Sequence, residues 1–277
     1  MPLVLLGAPQ VHKLSLVGGP YELAGMVPYP LFGCQLTQFS CLLSVNFAET
    51  LMLFKACTNL IHCQIFIEDH VQPRGLNFSG RTFLPQLLSL SLLEGYLNLD
   101  ESREFYSSID TPHLKYIQYT PHNYVLRSLD PDAPPPIVTL IQRAPELSKL
   151  TITPRTFAPA ALRKILEAAS LTCFKHLVIL QEPLDPSTRR RYESRSYFRV
   201  FDLRWLLVNA DPGSESSVIL PHLEVFDWSP GLVPDKTVLQ FIIQRMNPLS
   251  ASGVAALKRV RIMFARGQEI DILEEVK

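Results

Sequence analysis

Leu87-Leu88-Ser89-Leu90-Ser91-Leu92 is the stretch on which the reading of this chain turns. In an extended strand successive side chains point to opposite sides, so Leu90 and Leu92 share one face while Ser89 and Ser91 share the other. Leu87, three residues ahead of Leu90, completes an apolar-x-x-apolar-x-apolar frame. That frame recurs at Val11/Leu14/Leu16, Leu36/Phe39/Cys41, Leu60/Cys63/Ile65, Leu114/Ile117/Tyr119, Leu147/Leu150/Ile152, Phe174/Leu177/Ile179, Leu223/Phe226/Trp228 and Leu257/Val260/Ile262.

Successive first positions of the frames lie 25, 24, 27, 27, 33, 27, 49 and 34 residues apart. A beat close to 20 to 29 residues predicts an α/β leucine-rich-repeat solenoid, a curved horseshoe with parallel strands on the concave face and helices on the convex face. The segments between frames carry the helical part. Ala48 to Ala56, Pro136 to Ala144, Pro159 to Ala169 and Asp235 to Met246 have apolar residues three and four apart. In the clearest, proline occupies the first turn and Leu162, Ile165, Leu166 and Ala169 form one stripe. The expectation is a single domain over 1–277 with about nine repeats, an insertion loop near 183–197 and a partial C-terminal cap at 268–277. Phe198, Phe201 and Leu203 could supply a tenth frame inside the widest gap. Phe198, Phe201, Trp205 and Val208 instead follow helical spacing, which favours a helix over 198–208. With no cap ahead of Leu3 to Leu6, the isolated chain is expected to aggregate or to pair with upstream sequence.

Composition narrows the function classes. The 277 residues are 47% hydrophobic, enough for a packed core, and 26 Lys and Arg balance 26 Asp and Glu. No global positive field draws the chain to nucleic acid or to acidic membranes. The 23 prolines stand mainly at the ends of apolar segments, where they punctuate elements. Cys34, Cys41, Cys57, Cys63 and Cys173 are odd in number, lie mostly in apolar runs and contain no CxxC pair, which argues against disulfides and zinc. The apolar start lacks a positive n-region, and no apolar run approaches a membrane span. A cytoplasmic or nuclear protein without membrane attachment is the expectation.

Catalytic and cofactor motifs are missing. No GxxxxGK[ST], GxGxxG or GxSxG pattern occurs, and the histidines show neither HxxxH nor Cys/His pairing, so no enzyme activity, metal or cofactor is expected. His62 and Cys63 are adjacent and therefore face opposite sides of a strand. Cys41, Cys57 and Cys63 read as small buried apolar residues. The segment Ser187 to Arg199 holds five arginines with interleaved aromatics, a pattern that can touch nucleic acid; in a neutral chain a solvated excursion explains it better. Asp130-Pro131-Asp132-Ala133-Pro134-Pro135-Pro136 reads as a rigid loop ending at a helix start.

The linking elements Arg143-Ala144-Pro145-Glu146-Leu147, Ala56-Cys57-Thr58-Asn59-Leu60-Ile61-His62-Cys63 and Leu220-Pro221-His222-Leu223-Glu224-Val225-Phe226 make the chain resemble the repeat half of fungal F-box proteins. That resemblance covers nearly the full chain. It implies a substrate-recognition module of a cullin-type ubiquitin ligase, with the repeats holding the target. The F-box itself is not present in these residues, so a Skp-type adaptor and a cullin are expected as partners only with an upstream F-box. The alternative is a repeat scaffold unconnected to ubiquitination.

A protein target is expected to meet the residues that flank the inward positions. These are Lys13, Ser15, Gln38, Ser40, His62, Gln64, Ser89, Ser91, Tyr116, Gln118, Lys149, Thr151, His176, Val178, Val225, Asp227, Arg259 and Arg261. The set is mostly neutral and polar, with Tyr116 as the best single anchor and two arginines at one end. It suits hydrogen-bonded protein recognition better than phosphate neutralisation.

Overall fold

The computed structural model describes residues 11–17, 35–68, 80–95, 99–121, 133–153, 157–180, 203–206, 219–231, 234–248 and 253–264. In chain order its elements are β1 (Lys13–Leu16), β2 (Gln38–Val45), α1 (Phe47–Ala56), β3 (His62–Ile67), β4 (Thr82–Phe83), β5 (Ser89–Glu94), α2 (Leu99–Ser108), β6 (Ile109–Asp110), β7 (Tyr116–Pro121), α3 (Ile137–Gln142), β8 (Lys149–Ile152), α4 (Pro159–Ser170), β9 (His176–Leu180), a short 3-10 turn (Leu203–Leu206), β10 (Val225–Gly231), α5 (Asp235–Met246) and β11 (Arg259–Phe264). Nine strands make one parallel sheet in the order β1-β2-β3-β5-β7-β8-β9-β10-β11, and β4 pairs with β6 in a second, two-stranded sheet.

Alternation builds the strands as the frames require. The fourth and sixth positions of each frame fall into two rows across the sheet. One runs Leu14, Phe39, Cys63, Leu90, Ile117, Leu150, Leu177, Phe226, Val260 and the other Leu16, Cys41, Ile65, Leu92, Tyr119, Ile152, Ile179, Trp228, Ile262. From Phe39 to Phe226 and from Cys41 to Trp228 every member of these rows is buried, and those at the two ends pack partly buried against the same core. The helices bring Phe54, Phe105, Leu140, Ile165 and Phe241 to that core, so they cover this face of the sheet. Each buried Leu or Ile contributes about 1.5–3 kcal/mol over leaving it in water.

The first frame position sits in a turn. Leu60, Leu87, Leu114, Leu147 and Leu223 donate N–H to the carbonyls of Cys57, Leu84, Thr111, Ala144 and Leu220. Proline stands second in four of these turns, at Pro85, Pro112, Pro145 and Pro221, where its fixed φ suits a tight turn. Just before each strand, one carbonyl accepts from two successive N–H groups of the next segment. His12 O takes Thr37 N and Gln38 N at 2.9 and 3.0 Å, and the same pattern continues to Glu224 O, which takes Lys258 N and Arg259 N. The helices start where local chemistry allows. Asn46 caps α1, accepting from Glu49 N at 2.8 Å while its own N–H donates to Glu49 Oε2 at 3.2 Å, and Pro159 opens α4.

This architecture corrects the expected leucine-rich-repeat horseshoe. The chain is mixed α/β, with one large parallel sheet and five helices among the described residues, and no unit of fixed content repeats along it. Among the described residues the β3–β5 connection passes through β4, the β5–β7 connection through α2 and β6, and the β7–β8 connection through the six-residue α3. Register breaks between Cys41 and Ser44 and between Trp228 and Gly231 add to the irregularity. Leucine-rich repeat and solenoid therefore do not describe it, and no described feature curls the sheet into a horseshoe. Nor does anything among the described residues have the form of an F-box. The reason is physical: the frame specifies strands and their inward side, and leaves the connections between them free.

The helices expected at 48–56, 136–144, 159–169 and 235–246 are observed as α1, α3, α4 and α5, whereas α2 was not expected. In the widest gap β9 pairs directly with β10, residue for residue, which leaves no place between them for a tenth strand. Of the expected helix over 198–208, only the 3-10 turn Leu203–Leu206 lies within the described residues. The insertion near 183–197, the cap at 268–277 and Leu3 to Leu6 lie outside them. No described helix is long and apolar enough to cross a membrane.

One acid is buried with the aromatics. Glu94, at the end of β5, accepts hydrogen bonds from Tyr106 and Tyr119. Rings run from Phe47 through Phe105, Tyr106 and Tyr119 to Phe157, with neighbouring centroids 4.8, 5.2, 6.5 and 5.9 Å apart.

Candidate functional site

All-parallel sheets occur almost only with both faces covered, because their strands bury apolar side chains on both sides. Here most of the side chains that point away from the helices in the frames are polar and reach solvent. They also fall into two rows: Lys13, Gln38, His62, Ser89, Tyr116, Lys149, His176, Val225, Arg259, and Ser15, Ser40, Gln64, Ser91, Gln118, Thr151, Val178, Asp227, Arg261. Every residue that the sequence placed on a recognition surface lies on this one face, in register across nine strands. Lys13, Ser15, His62, Gln64, Arg259 and Arg261 are exposed, and the others are half-buried. The exception is Thr151, which at 4% exposure is on the ladder but out of reach.

The face divides into two chemistries. From β1 to β7 it is nearly uncharged, and its groups bond to one another: Ser40 Oγ donates to Gln64 Oε1 at 3.2 Å and the Tyr116 hydroxyl to Gln118 Oε1 at 3.0 Å. From β8 to β11 it is charged. Lys149 Nζ stands 4.9 Å from the centre of the Tyr116 ring, a cation–π contact that joins the two halves. Asp227 Oδ2 lies 2.8 Å from His176 Nε2 and 3.2 Å from an Arg259 Nη2 donor. Burial holds the His176 imidazole below its ordinary range; the bond to Asp227 opposes that, while the charges of Lys149 and Arg259 reinforce it. Along the leading edge of the same strands, Glu224 sits between Lys175 at 3.5 Å and Lys258 at 2.7 Å. These lysines, chiefly through the Lys258 hydrogen bond, keep its carboxyl below the usual range.

A third row was missed. Phe66, Leu93 and Thr120 continue the face beyond the frame, and Leu42, Leu180 and Met263 are exposed apolar side chains on the same strands. Leu42 follows Gln38 and Ser40 in the alternation, at the register break between Cys41 and Ser44. The signal was present as continued alternation after the frame, in Ile65-Phe66-Ile67 and Leu92-Leu93-Glu94.

Other candidates come to less. His12 Nδ1 lies 3.1 Å from the Gln35 carbonyl and His113 Nδ1 2.8 Å from Glu146 Oε1, both on the surface. No group of three or more metal-ligating side chains converges among the described residues. His176 has an acid to orient it, yet no described hydroxyl or thiol is hydrogen-bonded to its other ring nitrogen, as a nucleophile–base pair would need. Cys41, Cys57 and Cys63 are buried and Cys173 is exposed; burial raises the Cys63 thiol far above its ordinary value, which suppresses the reactive thiolate. A depression of about 500 Å³ between α3 and α4 is lined by Val138, Gln142, Lys164, Glu167 and Leu171. The arginine-rich segment at 187–199 lies outside the described residues. The sequence matches no protein-family model and no curated protein.

Proposed function

We propose that this chain is a protein-binding module whose partner docks on the polar face of the nine-stranded sheet. The observation that carries the reading is a parallel sheet with helices on one face and two aligned rows of mostly polar side chains on the other. Eight strand spacings of about 4.8 Å and strands of about five residues give a platform on the order of 600 Å², close to the ~800 Å² that one partner contributes to a specific interface. Tyr116 lies near its middle, where an aromatic side chain adds most to binding. Mostly neutral hydrogen-bonding groups over five strands, with Lys13 at one end, suit a protein surface better than a phosphate backbone, which demands cations throughout.

The test is affinity capture with the full chain, in parallel with Gln64→Arg plus Ser91→Arg and with Lys164→Glu on the helical side. The two arginines obstruct the face without touching the core. The expected result is loss of specifically retained proteins, by tenfold or more, in the face variant and full retention in the helical-side variant, with equal thermal unfolding of all three. Equal retention by the face variant would overturn the proposal. A Skp-type adaptor and a cullin among the face-dependent proteins would attach the module to a ubiquitin ligase.

A further inference from the structure

Between β8 and β11 the described part of the sheet carries more positive than negative charge. Among the described residues there, Lys149, Lys175, Lys258, Arg259 and Arg261 stand with two carboxylates, Glu224 and Asp227, in a chain whose total charge is zero. Both acids stand on or just before β10, and bases on β9 and β11 hold them from either side: Lys175 and Lys258 flank Glu224, His176 and Arg259 flank Asp227. Neither Lys149 nor Arg261 has a carboxylate partner among the described residues. Arg259 is 60% exposed, so most of its guanidinium donors face water even while one reaches Asp227.

Charge on an edge strand has a plain structural use, since it discourages pairing with another chain. That accounts for Arg259 and Arg261 on β11. It does not account for Lys149, three strands inward and held over the Tyr116 ring. Lys149 and Arg259 occupy the same row, three strand spacings apart, or about 14 Å at ~4.8 Å each. An extended peptide rises about 3.3 Å per residue, so acidic side chains about four residues apart would reach both.

Resting on the protein-binding reading above, we infer that the β8–β11 end of the sheet face docks an acidic peptide segment of the partner, with carboxylates about four residues apart meeting Lys149 and the Arg259/Arg261 pair. Guanidinium groups bind carboxylates bidentately, which supplies direction as well as charge. Val178 and Val225 between the cations, with Leu180 and Met263 beyond them, fit the apolar side chains that separate acids in a peptide. A nucleic-acid strand would instead set its phosphates against Asp227 and Glu224, inside the patch.

The experiment is fluorescence anisotropy at low salt with the full 277-residue chain and twelve-residue labelled peptides of serine, alanine and leucine. Two glutamates are placed two, four or seven residues apart, with glutamine-substituted peptides and a twelve-nucleotide single-stranded DNA in parallel. The expected result is tightest binding at a separation of four, at least tenfold loss on replacing glutamate by glutamine, and a similar loss in Lys149→Gln plus Arg261→Gln. Among the described residues neither of those two side chains has an ion-pair partner to strand, and equal thermal unfolding confirms that the variant is intact. Binding indifferent to the glutamates, or stronger binding of the DNA, would overturn the inference. If the acidic peptides fail while the Gln64→Arg plus Ser91→Arg variant still loses its captured proteins, only this inference falls; if that variant loses nothing, the underlying reading falls as well.

Discussion

The Tyr119 hydroxyl donates to Glu94 Oε2 at 2.7 Å inside the core, and Tyr106 donates to the other carboxylate oxygen. Glu94 is 4% exposed, and burial pushes its carboxyl up to about 8 against an ordinary 4.5, with the Tyr119 bond pulling the other way. Between those two values the folded protein holds a proton that the unfolded chain has released. Stability therefore falls as pH rises from about 4.5 to about 8, and no further loss from this group follows above that. Glu94→Gln keeps the shape and cannot ionise. The difference in stability between pH 5 and pH 8.5 should shrink in the variant by on the order of a few kcal/mol. Urea unfolding at both pH values measures it, and identical pH dependence in the two proteins would refute the assignment.

The two sides of one strand should respond very differently to truncation. Leu90 is fully buried between Cys63 and Ile117 on the inner row, whereas Ser91 is half-buried on the outer row. Leu90→Ala removes packed methyl groups and leaves a cavity, so a loss of about 2–5 kcal/mol is expected. Ser91→Ala should stay within about 0.5 kcal/mol. Denaturant titration of both variants decides it; a loss from Ser91→Ala as large as that from Leu90→Ala would contradict the assignment of the faces.

What the sequence disclosed and what it hid follow from the range of each interaction. Leu87 to Leu92 shows its strand and its inward side because alternation is local, and burial forbids the one-residue slip that would expose Leu90. The outer rows came with it. The connections did not, since α2 is a polar segment, Leu-Asp-Glu-Ser-Arg-Glu-Phe-Tyr-Ser-Ser, whose buried side is little more than Phe105 and Tyr106, and β4 and β6 are two residues each. The burial of Thr151 also escaped, because it depends on neighbouring strands. Least legible was the charged cluster: His176 and Asp227 are separated by 51 residues in sequence and meet only because β9 and β10 are adjacent.

That meeting has a titration signature. Burial lowers His176, and the hydrogen bond and charge of Asp227 partly restore it. Asp227→Asn removes the charge, so His176 should titrate at a still lower pH in the variant. In the native protein the unfolded chain binds the histidine proton before the folded one does. The His176 contribution is therefore intact above about 6.5 and is lost as pH falls through the lower folded value. Proton NMR of the imidazole Cε1–H across pH 4 to 8 follows it directly, and a rise in the midpoint on Asp227→Asn would exclude the proposed pairing.

Arg245 presents the opposite case, a buried cation with too few partners. It is fully buried in the last turn of α5, where Nη2 donates to the Leu220 carbonyl at 2.8 Å while Nε and Nη1 have no hydrogen-bond partner among the described residues. Burial brings its guanidinium down to about 10. Leu220 itself sits at φ 58, in the left-handed region that a branched apolar residue rarely adopts, and its N–H donates to Ser170 Oγ at 2.8 Å. Two polar groups thus hold one strained residue, and they should differ in worth. Arg245→Met keeps the stem and removes a poorly compensated charge, and the Leu220 carbonyl keeps its bond from Leu223 N, so stability should hold or rise. Arg245→Ala also loses the packing of the stem and should cost about 2–4 kcal/mol. Ser170→Ala strands the Leu220 N–H and should cost about 1–3 kcal/mol. Chemical denaturation of the three variants ranks them, and a methionine variant as unstable as the alanine one would show that the charge, rather than the stem, is what the fold uses at this position.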